Sequence, residues 1–140
     1  MKHPALFALV TMSFLLMISC ASVISQQYVE IAVKNVSFSQ VLEAPDKYRN
    51  ATFIFGGTIV ETENTKEGAE IEVIQNPIDK YGEIIDKDVS EGRFIIMSPG
   101  HLDPLIYRRN WSITMAGKLM GARDVMSGER KKTYLLFGVE

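Results

Sequence analysis

The sequence predicts a mainly β domain, a small five-stranded barrel with one or two short helices, preceded by an N-terminal leader. Three observations predict it. Five apolar runs with strand-like composition recur along the chain, a pair of glycines interrupts the longest of them, and a short proline-initiated element separates the third from the fourth. With 140 residues, 46% of them apolar and 23% charged, the chain suits one domain and is too short for two. A unit of this size buries roughly two thirds of its unfolded surface, so it needs neither a metal nor disulfides to hold a core.

The first element is a leader, residues 1–19. Met1-Lys2-His3-Pro4 gives a short positive start, and residues 5–18 form an uncharged apolar stretch that ends at Ser19-Cys20. A spanning helix needs about 20 apolar residues, and no stop-transfer charges follow, so the pattern is that of a secretory signal peptide. The competing reading, a buried N-terminal helix, fits the positive start and the small closing residues less well. Residues 20–34 are expected to form a tether, small and polar over 21–27, and residues 35–140 the barrel domain.

Within that domain, residues 40–48 begin as a helix, with Ser37 or Ser39 able to cap the start and Pro45 ending it early. Residues 51–61 form the first long strand. Its Gly56-Gly57 pair suggests a bulge or sharp coil where a barrel strand bends to serve two sheets. Residues 70–75, 93–98, 111–120 and 133–140 supply the other four strands. Between the third and fourth, Asp103-Pro104 reads as a helix start: the Asp103 carboxylate accepts backbone N–H bonds and proline takes the first helical position, for a helix of about two turns. Five strands with a short helix at that place is the order of the OB fold. A plain β-sandwich is the alternative.

Cys20 is the only cysteine, so an internal disulfide is excluded. It stands where a signal peptide would be cut, and Leu16-Met17-Ile18-Ser19-Cys20 resembles the bacterial lipobox, with Met17 in the place of the usual leucine. The resemblance implies that Cys20 receives a diacylglycerol thioether, becomes the N-terminus by cleavage after Ser19, and is acylated on its amine. Two or more acyl chains anchor stably where one does so marginally. In Gram-negative lipoproteins an Asp after the cysteine retains the protein in the inner membrane. Here Ala21 follows, which implies passage by the export and sorting machinery to the outer membrane, on its periplasmic side.

A different family of exported proteins is suggested by Asn35-Val36-Ser37, Asn50-Ala51-Thr52 and Asn110-Trp111-Ser112, which match the glycosylation acceptor pattern of eukaryotic secreted chains. The pattern is short, and two of the three sit at the start of apolar strand-like runs, where a glycan would be awkward.

Gly92-Arg93-Phe94, Leu102-Asp103-Pro104 with Tyr107-Arg108, Gly117 and Tyr134-Leu135-Leu136, preceded by Pro45, Tyr48, Phe55-Gly56-Gly57 and Ile59, resemble the Slp family, the starvation-inducible outer membrane lipoproteins of enteric and related bacteria. The likeness runs from Val41 to Val139 and includes the lipobox. It implies attachment to the outer membrane and a link to starvation and stress. It brings no catalytic residues. Members of that family continue past the last strand.

Other chemistry finds little to stand on. Past the leader the only histidine is His101, in a Pro-Gly-His turn, and no cysteine but Cys20 is present, so no zinc or copper ligand set is expected. Asp86-Lys87-Asp88 and Glu61-Thr62-Glu63-Asn64 lack the spacing of a calcium loop. No Gly-x-Ser-x-Gly elbow and no phosphate-cradling glycine loop appears. No cofactor is expected. The 17 acidic residues outnumber the 15 basic ones, one of which is Lys2 in the leader, so an OB-type nucleic-acid binder is disfavoured by charge as well as by export. Arg130-Lys131-Lys132, near Arg123, is expected at the polar tip of the last hairpin. The sequence thus favours a lipid-anchored envelope module that binds or builds. An exported ligand-binding domain or an enzyme without visible motif is the alternative.

Overall fold

The computed structural model describes residues 22–140. Its strands are β1 (Thr52–Thr65), β2 (Gly68–Asn76), β3 (Arg93–Ser98), β4 (Ser112–Ser127) and β5 (Arg130–Gly138). Each is hydrogen-bonded to two others, so the sheet closes on itself in the order β1-β2-β3-β5-β4, and only the β3·β5 pairing is parallel. Two short helices, α1 (Gln26–Ile31) and α2 (Phe38–Glu43), and a 3-10 turn at Pro45–Tyr48 precede the sheet.

Alternation places one side of every strand inside. Phe53 of β1, Ile71 and Val73 of β2, Phe94 and Ile96 of β3 and Phe137 of β5 are almost fully buried. The aromatic rings interlock: Phe53 stacks on Phe55 at 5.5 Å, and Phe137 meets Phe94 edge-on at 5.8 Å. Helix α2 closes one end of this core by inserting Phe38 and Val41. Its start is fixed by a reciprocal cap, in which Ser37 Oγ accepts from the Gln40 N–H and Gln40 Oε1 accepts from the Ser37 N–H.

Three expectations are corrected. No helix lies between β3 and β4; residues 99–111 form a turn-rich loop, because one i,i+4 bond, from the Tyr107 N–H to the Asp103 carbonyl, is not continued. The irregularity in β1 falls between Ile59 and Glu61, not at the glycines. Gly56 and Gly57 instead sit where β1 pairs on both sides, with β2 and with β4, and a Cβ on Gly57 would collide with the Ile74 carbonyl. Finally, the two hairpins run well beyond the apolar runs, because the polar ends of β1, β2, β4 and β5 continue the backbone ladder after leaving the core.

The β4 strand carries a second irregularity, between Leu119 and Gly121. The carbonyl it frees, that of Met120, accepts from Arg49 Nη1 at 2.6 Å, and the same guanidinium reaches Asp46 at 2.8 Å.

Candidate functional site

The segment expected as a free tether is folded onto the sheet from Ser22 onward. The Val23 N–H donates to the Tyr81 carbonyl at 3.1 Å, α1 follows, and the Val33 N–H donates to the Thr52 carbonyl at 2.8 Å. Tyr81 can receive this strap because hydrogen bonds hold the 77–92 loop in place. Asp79 Oδ1 accepts from the N–H groups of Tyr81 and Glu83, and Thr114 Oγ1 donates to the Gly82 carbonyl at 2.7 Å. Asn76, only 1% exposed, completes the arrangement: its amide donates to the carbonyls of Lys87 and Val89, and its oxygen accepts from Thr58 Oγ1. Sequence reasoning missed Asn76. Its position as the last residue of an apolar strand, before Pro77, was the available signal.

The 99–111 loop is pinned with equal care. Asn64 and Leu102 exchange two bonds of 2.9 Å, His101 Nε2 lies 2.8 Å from the Thr65 carbonyl, and Thr62 Oγ1 donates to the Tyr107 carbonyl at 2.7 Å. Asp103 Oδ1 accepts from the Leu105 N–H at 2.8 Å, so its carboxylate caps a single turn. Cys20, the expected lipid-attachment residue, lies outside the described residues, as does the 1–19 leader.

Between strap, loop and sheet lies a cavity of about 560 Å³. Its lining is mostly apolar: Ile71, Ile96 and Met115 from the strands, Ile24 and Tyr28 from the strap, Leu102 and Tyr107 from the loop. Ser98, Thr114 and Glu140 add the polar groups. Such a lining can take up apolar matter, and its hydroxyls can orient it. Among the described residues no three His, Cys, Asp or Glu side chains converge as a metal site would require, and no helix is long and apolar enough to cross a membrane.

Several charged groups on the sheet are engaged with one another. Register places Glu61 opposite Glu72 and Glu63 opposite Glu70, an unfavourable pairing of like charges. Two cations relieve it: Arg93 Nη1 reaches Glu72 at 2.7 Å, and Arg123 grips both oxygens of Glu70 at 2.8 and 2.9 Å. The Arg123 hydrogen bond holds the Glu70 carboxyl below its ordinary range. In the basic run at the start of β5, Lys131 pairs with Asp124 at 2.8 Å, and that bond, with a second from Thr133, lowers the Asp124 carboxyl. The hairpin tip itself is Gly128-Glu129.

The three asparagines of the acceptor-like triplets have a backbone explanation. Asn35, Asn50 and Asn110 have φ of 61°, 66° and 69°, and among the described residues they are the non-glycine positions in the left-handed region. Asparagine tolerates that conformation better than most residues.

The fold and the cavity define a small mainly β module with a strapped-on N-terminal segment and an apolar recess. The chain belongs to the outer membrane lipoprotein Slp family, whose model matches residues 17–140. It is 29% identical to the outer membrane protein Slp of Escherichia coli (strain K12) over 85 residues, which are 61% of this chain and 45% of that protein. It is 27% identical to the lipoprotein YeaY of the same strain over 100 residues, 71% of this chain and 51% of YeaY. The chain thus spans about half the length of the curated relatives it matches. No solved structure matches significantly.

Proposed function

We propose that this chain is held in the outer membrane by an acylated Cys20, faces the periplasm, and acts as an envelope binding or structural module rather than an enzyme. The observation that carries the reading is the start of the family match at Met17, which brings Met17-Ile18-Ser19-Cys20 inside it. Ala21, in place of an aspartate, supports delivery to the outer membrane by the export and sorting machinery. The link to starvation and stress rests on the family resemblance alone. We further assign the barrel to the OB type on its strand order and its parallel β3·β5 closure, with the pinned 99–111 loop standing where such barrels carry a helix.

The test is genetic and biochemical. Cys20→Ser is expected to abolish acyl labelling and release the protein from membranes; labelled, membrane-bound Cys20→Ser protein overturns the anchor. Ala21→Asp is expected to shift the protein to the inner-membrane fraction, and an unchanged density profile overturns the sorting assignment.

The cavity favours a second reading, in which the module carries a small apolar ligand. An environment-sensitive apolar dye should then bind the folded domain, and Met115→Trp, which fills the recess, should remove that binding. Dye binding unchanged in Met115→Trp, or absent from the wild type, counts against it.

A further inference from the structure

The 99–111 loop packs Leu102 and Tyr107 against the core and leaves Leu105, Ile106 and Trp111 outside. Leu105 is 79% exposed, Ile106 61% and Trp111 49%, on a loop that is bonded to β1 through Leu102, Tyr107, Asn110 and Trp111. The tie is direct at Trp111, whose carbonyl accepts from the Ile59 N–H while the Asn110 N–H donates to the Ile59 carbonyl. The loop is therefore a fixed presentation of apolar groups. From Leu105 to Trp111 it contains two arginines and no acid, and the Arg108 guanidinium lies 4.0 Å from the Trp111 ring centroid.

The strap places this loop beside the point of anchorage. Val23 lines the same cavity as Leu102 and Tyr107, and a second one with Ser112, the residue after Trp111. Val23 is itself 56% exposed, and Tyr81, which holds it, is 41% exposed with Lys80 over its ring. Cys20 is two residues before Ser22, so covalent geometry keeps it within about 7 Å of that point.

We infer that the 105–111 loop is a second membrane contact: Leu105, Ile106 and Trp111 enter the interface of the bilayer to which Cys20 is attached, and Arg108 and Arg109 lie among anionic phospholipid headgroups. The inference rests on the Cys20 anchor. Exposed aliphatics, a tryptophan and flanking arginines are the composition that partitions into a bilayer interface. A stably acylated cysteine already supplies the affinity, and it raises the effective concentration of the loop at the lipid surface, so even a weak contact is occupied. The contact sets how the barrel stands on the membrane, with the 99–111 loop and the Val23–Tyr81 side down.

Trp111 is the only tryptophan in the chain, so its emission reports this loop alone. The full-length acylated protein is reconstituted into vesicles of phosphatidylethanolamine and phosphatidylglycerol, with part of the lipid brominated in its acyl chains. Flotation and acyl content are measured on the same samples. The expected result is a blue shift and quenching of Trp111 in floated protein, with quenching lost in the Leu105→Ser, Ile106→Ser double variant while flotation and thermal unfolding stay unchanged. Floated protein with unquenched Trp111 overturns the inference and leaves the anchor standing, and the wild-type measurement decides this even if the double variant does not fold. Quenching that persists in the folded double variant also overturns it. Emission that shifts with protein concentration in the absence of vesicles assigns the loop to contact between copies and overturns it as well. Wild-type protein that neither floats nor carries acyl chains overturns the anchor, and this inference with it.

Discussion

At the scale of single residues, Glu70 gives a test with a definite sign. Arg123 holds its carboxyl below the ordinary range in the folded state, so the pair contributes stability above the unfolded pKa and loses it as pH falls through the lowered value. The pair is partly exposed, with 41% of the Arg123 and 29% of the Glu70 side chain accessible, which limits its worth to about 1 kcal/mol or less. Glu70→Gln is expected to lower the denaturant midpoint near neutral pH, and the gap to wild type should close below the ordinary glutamate value of about 4.3. An equal gap at both pH values contradicts the assignment. Asn76 offers a larger effect, since Asn76→Leu strands the carbonyls of Lys87 and Val89 and the Thr58 hydroxyl. A loss of about 1 to 3 kcal/mol is expected by denaturation, with faster amide exchange concentrated in residues 77–92. Gly57→Ala should cost more, about 3 kcal/mol or failure to fold, because the added Cβ collides with the Ile74 carbonyl and the Val73 side chain.

At the scale of elements, the 99–111 loop shows what a sequence carries and what it omits. Asp103-Pro104 signals a helix start, and the structure has a single turn in which the Asp103 carboxylate accepts from the Leu105 N–H; a cap and a proline start a helix only if the following residues gain more from helical bonds than from outside partners. Here the Tyr107 carbonyl is taken by Thr62 and the Leu102 backbone by Asn64, both on β1, so the turn stops after one bond. Asp103→Ala is expected to lower the unfolding free energy by about 0.5 to 1 kcal/mol, measured by urea titration; an unchanged or higher midpoint contradicts the capping role. The core strands were legible because burial imposes a period of two on Phe53, Phe55 and Ile59 or Ile71 and Val73. The hairpin extensions were not, because a ladder between polar residues leaves no apolar rhythm. Nor was α1: the helix from Gln26 buries none of its residues, so no apolar stripe marks it in the sequence. The glycine pair marks the stretch where β1 pairs on both sides, but alternation says nothing of which backbone lies across from Gly57, and the bulge falls further on, between Ile59 and Glu61.

At the scale of the whole molecule, the parts point one way. The sheet has no free edge and its interior is filled by aromatic rings, and beside it lie the N-terminal strap, the recess under the strap and the apolar loop at its rim. All three gather near the segment that leads back to Cys20. The most direct test of the central claim is the mass of the N-terminal peptide of the protein purified from outer membranes of its native host or of a related Gram-negative bacterium. The account predicts a mature chain beginning at Cys20, with its sulfur in a diacylglycerol thioether and its amine acylated. A chain that begins at Met1, or at an unmodified Cys20, or at any residue after it, would contradict the account.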